Sequence, residues 1–253
     1  MKLPQIADEL TLIAREAGEL IMKHYEGELE VELKADSSPV TIADQEANDH
    51  IVKRLEALTP EITIIAEESA RDDEPVTALK EFWLVDPLDG TKEFIHRNGD
   101  FTVNIALIRD GSPVLGVVHP PTHGTVYIAS GDGKAWREGP DRAREEIQAR
   151  AFRAERPTVV VSRSHRAPAT DEFLSQFEDF EDISKGSSLK FCVLAAGEAD
   201  IYPRHGRTME WDTAAGHAVL SAAGGRVETL NGAPLRYGKE GLDNPHFIAW
   251  GRG

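Results

Sequence analysis

Apolar residues recur at helical spacing from about residue 5 to 25, where Ile6, Leu10, Ile13, Ala17, Leu20 and Ile21 fall on one face, so the chain opens with an amphipathic helix. A second helix follows in "SSPVTIADQEANDHIVKRLEALTP". Thr41 can cap it, Asp44 stands at the third position of a capping box, and Ala47, Ile51, Leu55 and Leu58 form the stripe that Pro60 stops. The period then shortens. "EITIIAEES" and "FWLVDPLDG" each read as a short strand running into acid, because large β-favouring residues give way to carboxylates. "FTVNIALIRDGSPVLGVVHPP" predicts two strands around an Asp110-Gly111 turn, and "GTVYIASGDGKAWRE" repeats the pattern with turn signals at Gly131 to Gly133.

This meander predicts an α+β first half built on an antiparallel sheet. From "RPTVVVSRSH" onward the pattern alternates strand and helix, with helices expected near 168 to 177, 187 to 197 and 211 to 224. The polar stretch "QARAFRAER" places a boundary near 150 to 156, giving an α+β subdomain over 1–150 and an α/β subdomain over 151–253 that completes the site. No internal repeat, low-complexity segment or long linker interrupts the pattern.

Composition narrows the function classes. The chain has 253 residues, enough for one large domain or two packed ones, and a formal net charge of −16 argues against non-specific attraction to nucleic acid or anionic membranes. The N-terminus "MKLPQIADEL" lacks the apolar core and cleavage site of a secretory signal, and no apolar run approaches the roughly 18 residues of a membrane span. The expected compartment is the cytosol. One cysteine, Cys192, cannot form an internal disulfide and lies in apolar "LKFCVLAAG", where a small buried thiol is expected.

The candidate chemistry lies in Glu67 and Glu68 of "IIAEES", Asp86 and Asp89 of "DPLDGT", and Asp212 of "EWDTAAGHA". Carboxylates brought together repel one another and are costly to bury unpaired, so their convergence would need a cation. Magnesium suits such a set, since it takes oxygen ligands, keeps waters and is completed by substrate phosphate. Four carboxylates could hold two ions roughly 3.5 to 4 Å apart, an arrangement that activates water and stabilises a leaving oxygen. Pro87 lacks an N–H and fixes the backbone, so the carbonyl of Leu88 could face a metal, and the N–H groups after Gly90 and Thr91 could receive phosphate.

Each piece also has a plainer role. Asp44 fits a capping box with Thr41, Glu67 and Glu68 fit a solvated strand end, and Asp212 fits the first turn of a helix, where the dipole favours acid. Other motifs fail on spacing. Asp86-Pro87-Leu88-Asp89-Gly90 does not alternate as an EF-hand loop does, and its two aspartates stand one residue too far apart for a phosphoryl-aspartate phosphatase of haloacid dehalogenase type. His119 and His123 are separated by Pro120 and Pro121, which break the helix a zinc pair would need and place both in a loop.

"VTIADQEAN", "IIAEES", "WLVDPLDGTKEF" and "EWDTAAGHAVLSAAGG", in that order and spanning most of the chain, resemble the magnesium-dependent, lithium-sensitive phosphatase superfamily that includes inositol monophosphatase. Within it, "GTKEFIHRNGDFTVNIALI", "VSRSH", "GSSLKF" and "YPRHGRTMEWDTAAGHAV" look most like the 3'(2'),5'-bisphosphate nucleotidase branch, which removes the 3'-phosphate of adenosine 3',5'-bisphosphate, a by-product of sulfate assimilation. The resemblance implies a layered α-β-α-β-α sandwich of the inositol monophosphatase and fructose-1,6-bisphosphatase type. It implies two or three Mg2+ ions per site, one on Glu67, Asp86 and the Leu88 carbonyl and a second on Asp86, Asp89 and Asp212.

By the same resemblance Asp44 and Thr91 orient or deprotonate the attacking water, Glu67 joins them in catalysis, and Leu88, Asp89, Gly90 and Thr91 cradle the phosphate with Glu67 and Asp212 nearby. Lithium inhibition, a homodimer and peripheral attachment to the cytoplasmic face of the inner membrane go with the resemblance alone, and a charge of −16 gives no electrostatic reason for the last. Arg204, His205 and Arg207 could meet a second phosphate or form a solvated basic loop; Lys92, Glu93, Ser187 and Ser188 are similarly suggestive, and the two serines could equally begin a helix. An inositol or sugar-like monophosphate is the alternative substrate, sharing every metal ligand, and a silent cation- or nucleotide-binding protein is the alternative of another class.

Overall fold

A computed structural model describes residues 1–27, 31–33, 39–70, 76–162 and 167–253. Helix α1 (Leu3–Tyr25) leads to a small ribbon of β1 (Val31–Leu33) and β2 (Pro39–Thr41), then to α2 (Ile42–Leu58) and β3 (Thr63–Ala66). Strand β4 (Glu81–Asp89) delivers the chain to a short helix, α3 (Thr91–Ile95). A meander follows through β5 (Thr102–Arg109), β6 (Ser112–His119), β7 (Val126–Ala129), β8 (Ala135–Glu138) and β9 (Arg144–Ile147). These strands form a seven-stranded sheet in the order β3-β4-β5-β6-β7-β8-β9. It departs from the antiparallel expectation at one edge, where β3 runs parallel to β4; the crossover between them lets both strands end at the same rim.

The later half alternates as its pattern predicts: β10 (Thr158–Ser162), α4 (Pro168–Leu174), β11 (Glu181–Lys185), α5 (Leu189–Ala195), β12 (Ile201–Arg204), α6 (Glu210–Ala222), β13 (Arg226–Thr229) and β14 (Phe247–Trp250). They build a five-stranded sheet ordered β11-β10-β12-β14-β13. Helices α4 and α5 are shorter than their apolar patterns suggest. Ser188 precedes α5 after a left-handed Ser187 (φ 49°), and Gly197 at φ 72° turns the chain just beyond it.

Strand periodicity explains the layers. On β4, Trp83 and Val85 face α1 and α2 together with Leu10, Ile13, Ile51 and Leu55, while Phe82 and Leu84 face the opposite way. That second face packs on α5 and α6 through Phe191, Leu194, Ala215 and Val219, whose other side meets Val160, Tyr202 and Phe247 of the five-stranded sheet. Val159, Val161, Ile201 and Ile248 on its outer face pack under Leu174 of α4. The order is therefore helix, sheet, helix, sheet, helix, the expected sandwich. Cys192 is buried on α5, and burial pushes its thiol far above the usual range, as befits an inert core cysteine.

Candidate active site

The acidic strand ends meet because β3 and β4 are parallel, so Glu67 follows the last residue of β3 beside the end of β4, its N–H donating to Val85 O at 3.0 Å. Along β4 the ladder pairs Asp86 with Asn104 and then slips, so that Asp89 opposes Thr102. Pro87, which cannot donate to the ladder, sits in this bulge; a bulge re-aims the side chains around it, and here it carries Asp86 and Asp89 to one rim. Gly90 at φ 95° then starts α3. A Cβ there would lie 2.3 Å from Ser187 Oγ, so the turn needs glycine both for its conformation and for the approach of the 187 loop.

Asp212 arrives from the other half of the chain, in the first turn of α6, with Oδ2 accepting the Met209 N–H at 2.8 Å. Asp86 Oδ1 accepts the Leu88 N–H at 3.1 Å, and Asp89 Oδ2 accepts the Ser188 N–H at 2.7 Å and Asn104 Nδ2 at 3.3 Å. In all three aspartates the other carboxylate oxygen takes no hydrogen bond from the described residues. One oxygen is held by the chain and one is left available.

Glu67, Asp86, Leu88, Asp89, Gly90, Thr91 and Asp212 line one cavity of about 360 Å³. Asp44 does not line it but stands directly behind, only 1% exposed, with Oδ1 accepting the Thr91 hydroxyl at 3.2 Å. Its Oδ2 accepts both the N–H (2.8 Å) and the hydroxyl (2.6 Å) of Thr41, so the capping and site roles coexist in one carboxylate. Asp212 likewise keeps its helix-start bond while facing the cavity. Glu68, the neighbour of Glu67, is half-buried and outside the lining.

Like charges dominate the electrostatics. Burial pushes the Asp86 carboxyl well above its ordinary value, and Glu67, Asp89, Asp212 and Asp44 push it further. Asp212 is raised well above the usual range by burial, then by Asp89 and Glu67. Asp89 is raised too, burial outweighing the attraction of Lys190 and the bonds from Ser188 and Asn104. Such a cluster is relieved by a cation. Among the described residues no three His, Cys, Asp or Glu side chains form a ready-made metal cage. The donor set instead fits magnesium, which takes a few carboxylate oxygens, carbonyls such as that of Leu88, and waters or substrate oxygens for the rest.

The same cavity carries cations that the residue pattern underplays. Lys190 is 6% exposed on α5, 5.5 Å from the Tyr202 ring, and burial lowers its pKa to about 8 although Asp89 favours its charge. A single lysine inside the apolar run "LKFCVLAA" is the signal that could have found it. Arg204 lines the cavity with Nη2 donating to Arg207 O at 3.0 Å, and its buried Nε has no partner among the described residues. Of its neighbours, Arg207 also lines the cavity but donates to Asp243 at 2.6 Å, and His205 points elsewhere, bonded to Thr170 at 3.1 Å and packed on Phe173. Lys92, Glu93 and Ser187 line the cavity, and Ser188 stands behind it.

One sequence expectation changes. His119 is not in a loop: it ends β6, is 4% exposed, and its Nδ1 pairs with Thr125 O at 2.7 Å, because the strand continues to the prolines instead of stopping short of them. His123 lies in the following 3-10 turn, far from being a metal partner on a shared helix face. The Arg163 to His165 part of "VSRSH" lies outside the described residues.

Comparison with known proteins agrees with this fold. The inositol monophosphatase family is matched over residues 3–249. The chain is 49% identical over 243 residues to the 3'(2'),5'-bisphosphate nucleotidase CysQ of Escherichia coli (strain K12), covering 95% of this chain and 97% of that one. It is 48% identical over the same length and coverage to the CysQ nucleotidase of Salmonella typhimurium. The crystal structure of CysQ from Bacteroides thetaiotaomicron, a bacterial member of the inositol monophosphatase family, superposes with a TM-score of 0.86 at 38% identity, covering 98% of both chains. An IMPase from Thermotoga maritima gives 0.77 at 26% identity over 96% of this chain and 91% of that one.

Proposed function

Because the chain belongs to the inositol monophosphatase family, we propose that it is a 3'(2'),5'-bisphosphate nucleotidase hydrolysing the 3'-phosphate of adenosine 3',5'-bisphosphate to AMP and phosphate. The observation that carries this reading, beside the nucleotidase relatives, is that one cavity holds both a cluster of mutually repelling carboxylates and the cations Lys190 and Arg204. A bisphosphate answers both needs. One phosphate meets the carboxylates through metal, and the other meets Lys190 and the guanidinium of Arg204, a group suited to phosphate, both of which line the cavity. An inositol monophosphate offers no second phosphate to the Lys190 and Arg204 side of the cavity. The reading goes with a cytoplasmic setting, and among the described residues no helix is long and apolar enough to cross a membrane.

In this reading Glu67, Asp86 and the Leu88 carbonyl would hold one magnesium, and Asp86, Asp89 and Asp212 would hold a second. Bound there, magnesium neutralises phosphate charge and makes water more acidic. The chain's own residues do the proton work. With its hydrogen turned to Asp44 Oδ1, the Thr91 hydroxyl presents a lone pair to the attacking water. As the water oxygen bonds to phosphorus and the P–O3' bond breaks, the water proton passes to Thr91 Oγ1 and the threonine proton to Asp44, while the departing ribose oxygen is protonated from solvent. Thr41 keeps Asp44 oriented through both of its donors.

Steady-state kinetics of Arg204→Gln on adenosine 3',5'-bisphosphate and on 3'-AMP test the substrate assignment. KM for the bisphosphate should rise about tenfold, the order of one lost charged hydrogen bond, with little change for 3'-AMP. Equal effects on both substrates would contradict it.

A further inference from the structure

The loop between β11 and α5 carries a hydroxyl that joins the two halves of the acidic site. Ser188 is 1% exposed and lies outside the cavity lining. Its Oγ donates to the backbone oxygen of Asp212 at 2.6 Å and accepts from Asn104 Nδ2 at 3.1 Å. Its N–H donates to Asp89 Oδ2 at 2.7 Å, an oxygen that also accepts from Asn104 Nδ2 at 3.3 Å. The Asn104 amide is turned the right way for this, because its Oδ1 accepts the Thr102 hydroxyl at 3.0 Å. The donors therefore run in one direction: Thr102 to Asn104, Asn104 to Asp89 and Ser188, and Ser188 to Asp212 and Asp89.

This circuit has a geometric consequence. Asp89 ends a strand of the seven-stranded sheet, whereas Asp212 rides on α6 more than a hundred residues later. Among the described residues no backbone hydrogen bond joins the two elements; Ser188 bonds both. Within the circuit only Asp89 Oδ2 is consumed, and Asp89 Oδ1 takes no bond from the described residues. The serine thus fixes which oxygen of Asp89 remains free and where α6 places Asp212 relative to it.

We propose that Ser188, supported by Asn104, is a positioning residue that sets the separation of Asp89 and Asp212 and thereby the affinity of that pair for a divalent cation. The inference rests on the metal-dependent reading of the site. It assigns Ser188 no contact with substrate or with the reacting atoms. Partners of this kind, which orient ligands without being ligands, change metal affinity when removed.

The test is titration of the full chain with Mn2+ and with Mg2+, without substrate, by calorimetry and by electron paramagnetic resonance of free Mn2+. Ser188→Ala should weaken binding by about tenfold, in the range usual for loss of a ligand-orienting hydrogen bond. Its activity should fall at low magnesium and recover as magnesium is raised, with KM for substrate at saturating metal little changed. Asn104→Ala should weaken binding similarly, and the double variant should be no weaker than about the stronger single one, since both cut one circuit. Ser188→Thr, which keeps the hydroxyl, should bind metal more tightly than Ser188→Ala. If Ser188→Ala is unfolded by circular dichroism, the Asn104→Ala titration decides. Metal binding by a folded variant within twofold of the unsubstituted chain would overturn the inference and leave the metal-dependent reading standing. Absence of metal binding in the unsubstituted chain would overturn that reading itself, and this inference with it.

Discussion

The hydroxyl of Thr91 donates to Asp44 Oδ1 at 3.2 Å, linking the start of α3 to the first turn of α2 across 47 residues of sequence. A local reading of "VTIADQEAN" makes Asp44 a helix cap, and the cap bonds are present. They use one oxygen only. The other oxygen accepts the Thr91 hydroxyl, so in the proposed mechanism the cap is the rigid mount of the base. Thr91→Val, which removes the hydroxyl, should lower kcat by about 10² to 10⁴, the range for loss of a positioned proton acceptor, with metal binding unchanged in a calorimetric titration. Thr91→Ser should keep most activity. A Thr91→Val enzyme within threefold of the unsubstituted one would remove Thr91 from the proton path.

The carboxylate cluster should cost the metal-free protein stability. Asp86 is buried beside Glu67, Asp89, Asp212 and Asp44, and its pKa is well above the ordinary 3.8. A raised folded-state pKa means that the folded chain holds the proton more tightly than the unfolded one. Stability of the metal-free chain from this group is therefore fully present below about pH 3.8 and declines as pH rises toward the folded-state value. Asp86→Asn keeps an acceptor for the Leu88 N–H but removes the charge. It should abolish activity while raising the thermal midpoint of the chelator-treated protein by several degrees at pH 8, on the order of 1 to 3 kcal/mol. Scanning calorimetry checks this, and a lower midpoint for the variant would contradict it.

Helix α6 reaches its place because β6 has a glycine under it. A Cβ on Gly116 would lie 2.6 Å from Ala215 O and 2.6 Å from Ala218 Cβ, both in the body of α6. Backbone cannot yield as a flexible side chain can, so Gly116→Ala should push α6 outward, costing about 1 to 3 kcal/mol as overpacked cores do. Since α6 carries Asp212, the magnesium concentration for half-maximal activity should rise as well. An unchanged denaturation midpoint would show that the helix accommodates the methyl without moving.

Buried histidines should make the fold acid-labile in a defined window. Burial lowers His119 to about 4 from an ordinary 6.5, so the unfolded chain takes up the proton first. The stabilisation is present above pH 6.5 and is lost as pH falls toward 4, with a full span on the order of 3 kcal/mol at about 1.4 per unit. His217, paired at Nδ1 with Tyr237 at 3.0 Å, is lowered to about 3 and extends the loss to lower pH. Urea denaturation at pH 7 and pH 4.5 should show a smaller difference for His119→Asn than for the unsubstituted chain. An equal difference would assign the acid lability to other groups.

How far the sequence reveals this molecule depends on whether a feature is local. The period of Ile6 to Ile21, the Asp110-Gly111 turn and the apolar strand leading into Asp86 are all written in neighbouring residues and each appears in the fold, although β4 runs on through a bulge to Asp89. The shared rim of Glu67 and Asp86 requires a parallel β3–β4 pair, which local periodicity does not encode; two strands running into acid allow these carboxylates to converge, and the motif resemblance implies that they do. Lys190 was harder still. In sequence it is one cation in an apolar helix, and only the packing of α5 against Tyr202 and the end of β4 turns it toward the acids. His119 was misplaced because two prolines mark where a strand ends as readily as they mark a loop.

Phosphate release from adenosine 3',5'-bisphosphate, with the nucleotide product identified by chromatography, is the decisive assay. With magnesium, stoichiometric AMP and phosphate are expected, with turnover well above that on inositol 1-phosphate and loss of activity on chelation and in Asp89→Asn. Preference for the inositol ester would contradict the substrate assignment, and release that persists under chelation would contradict the metal-dependent mechanism.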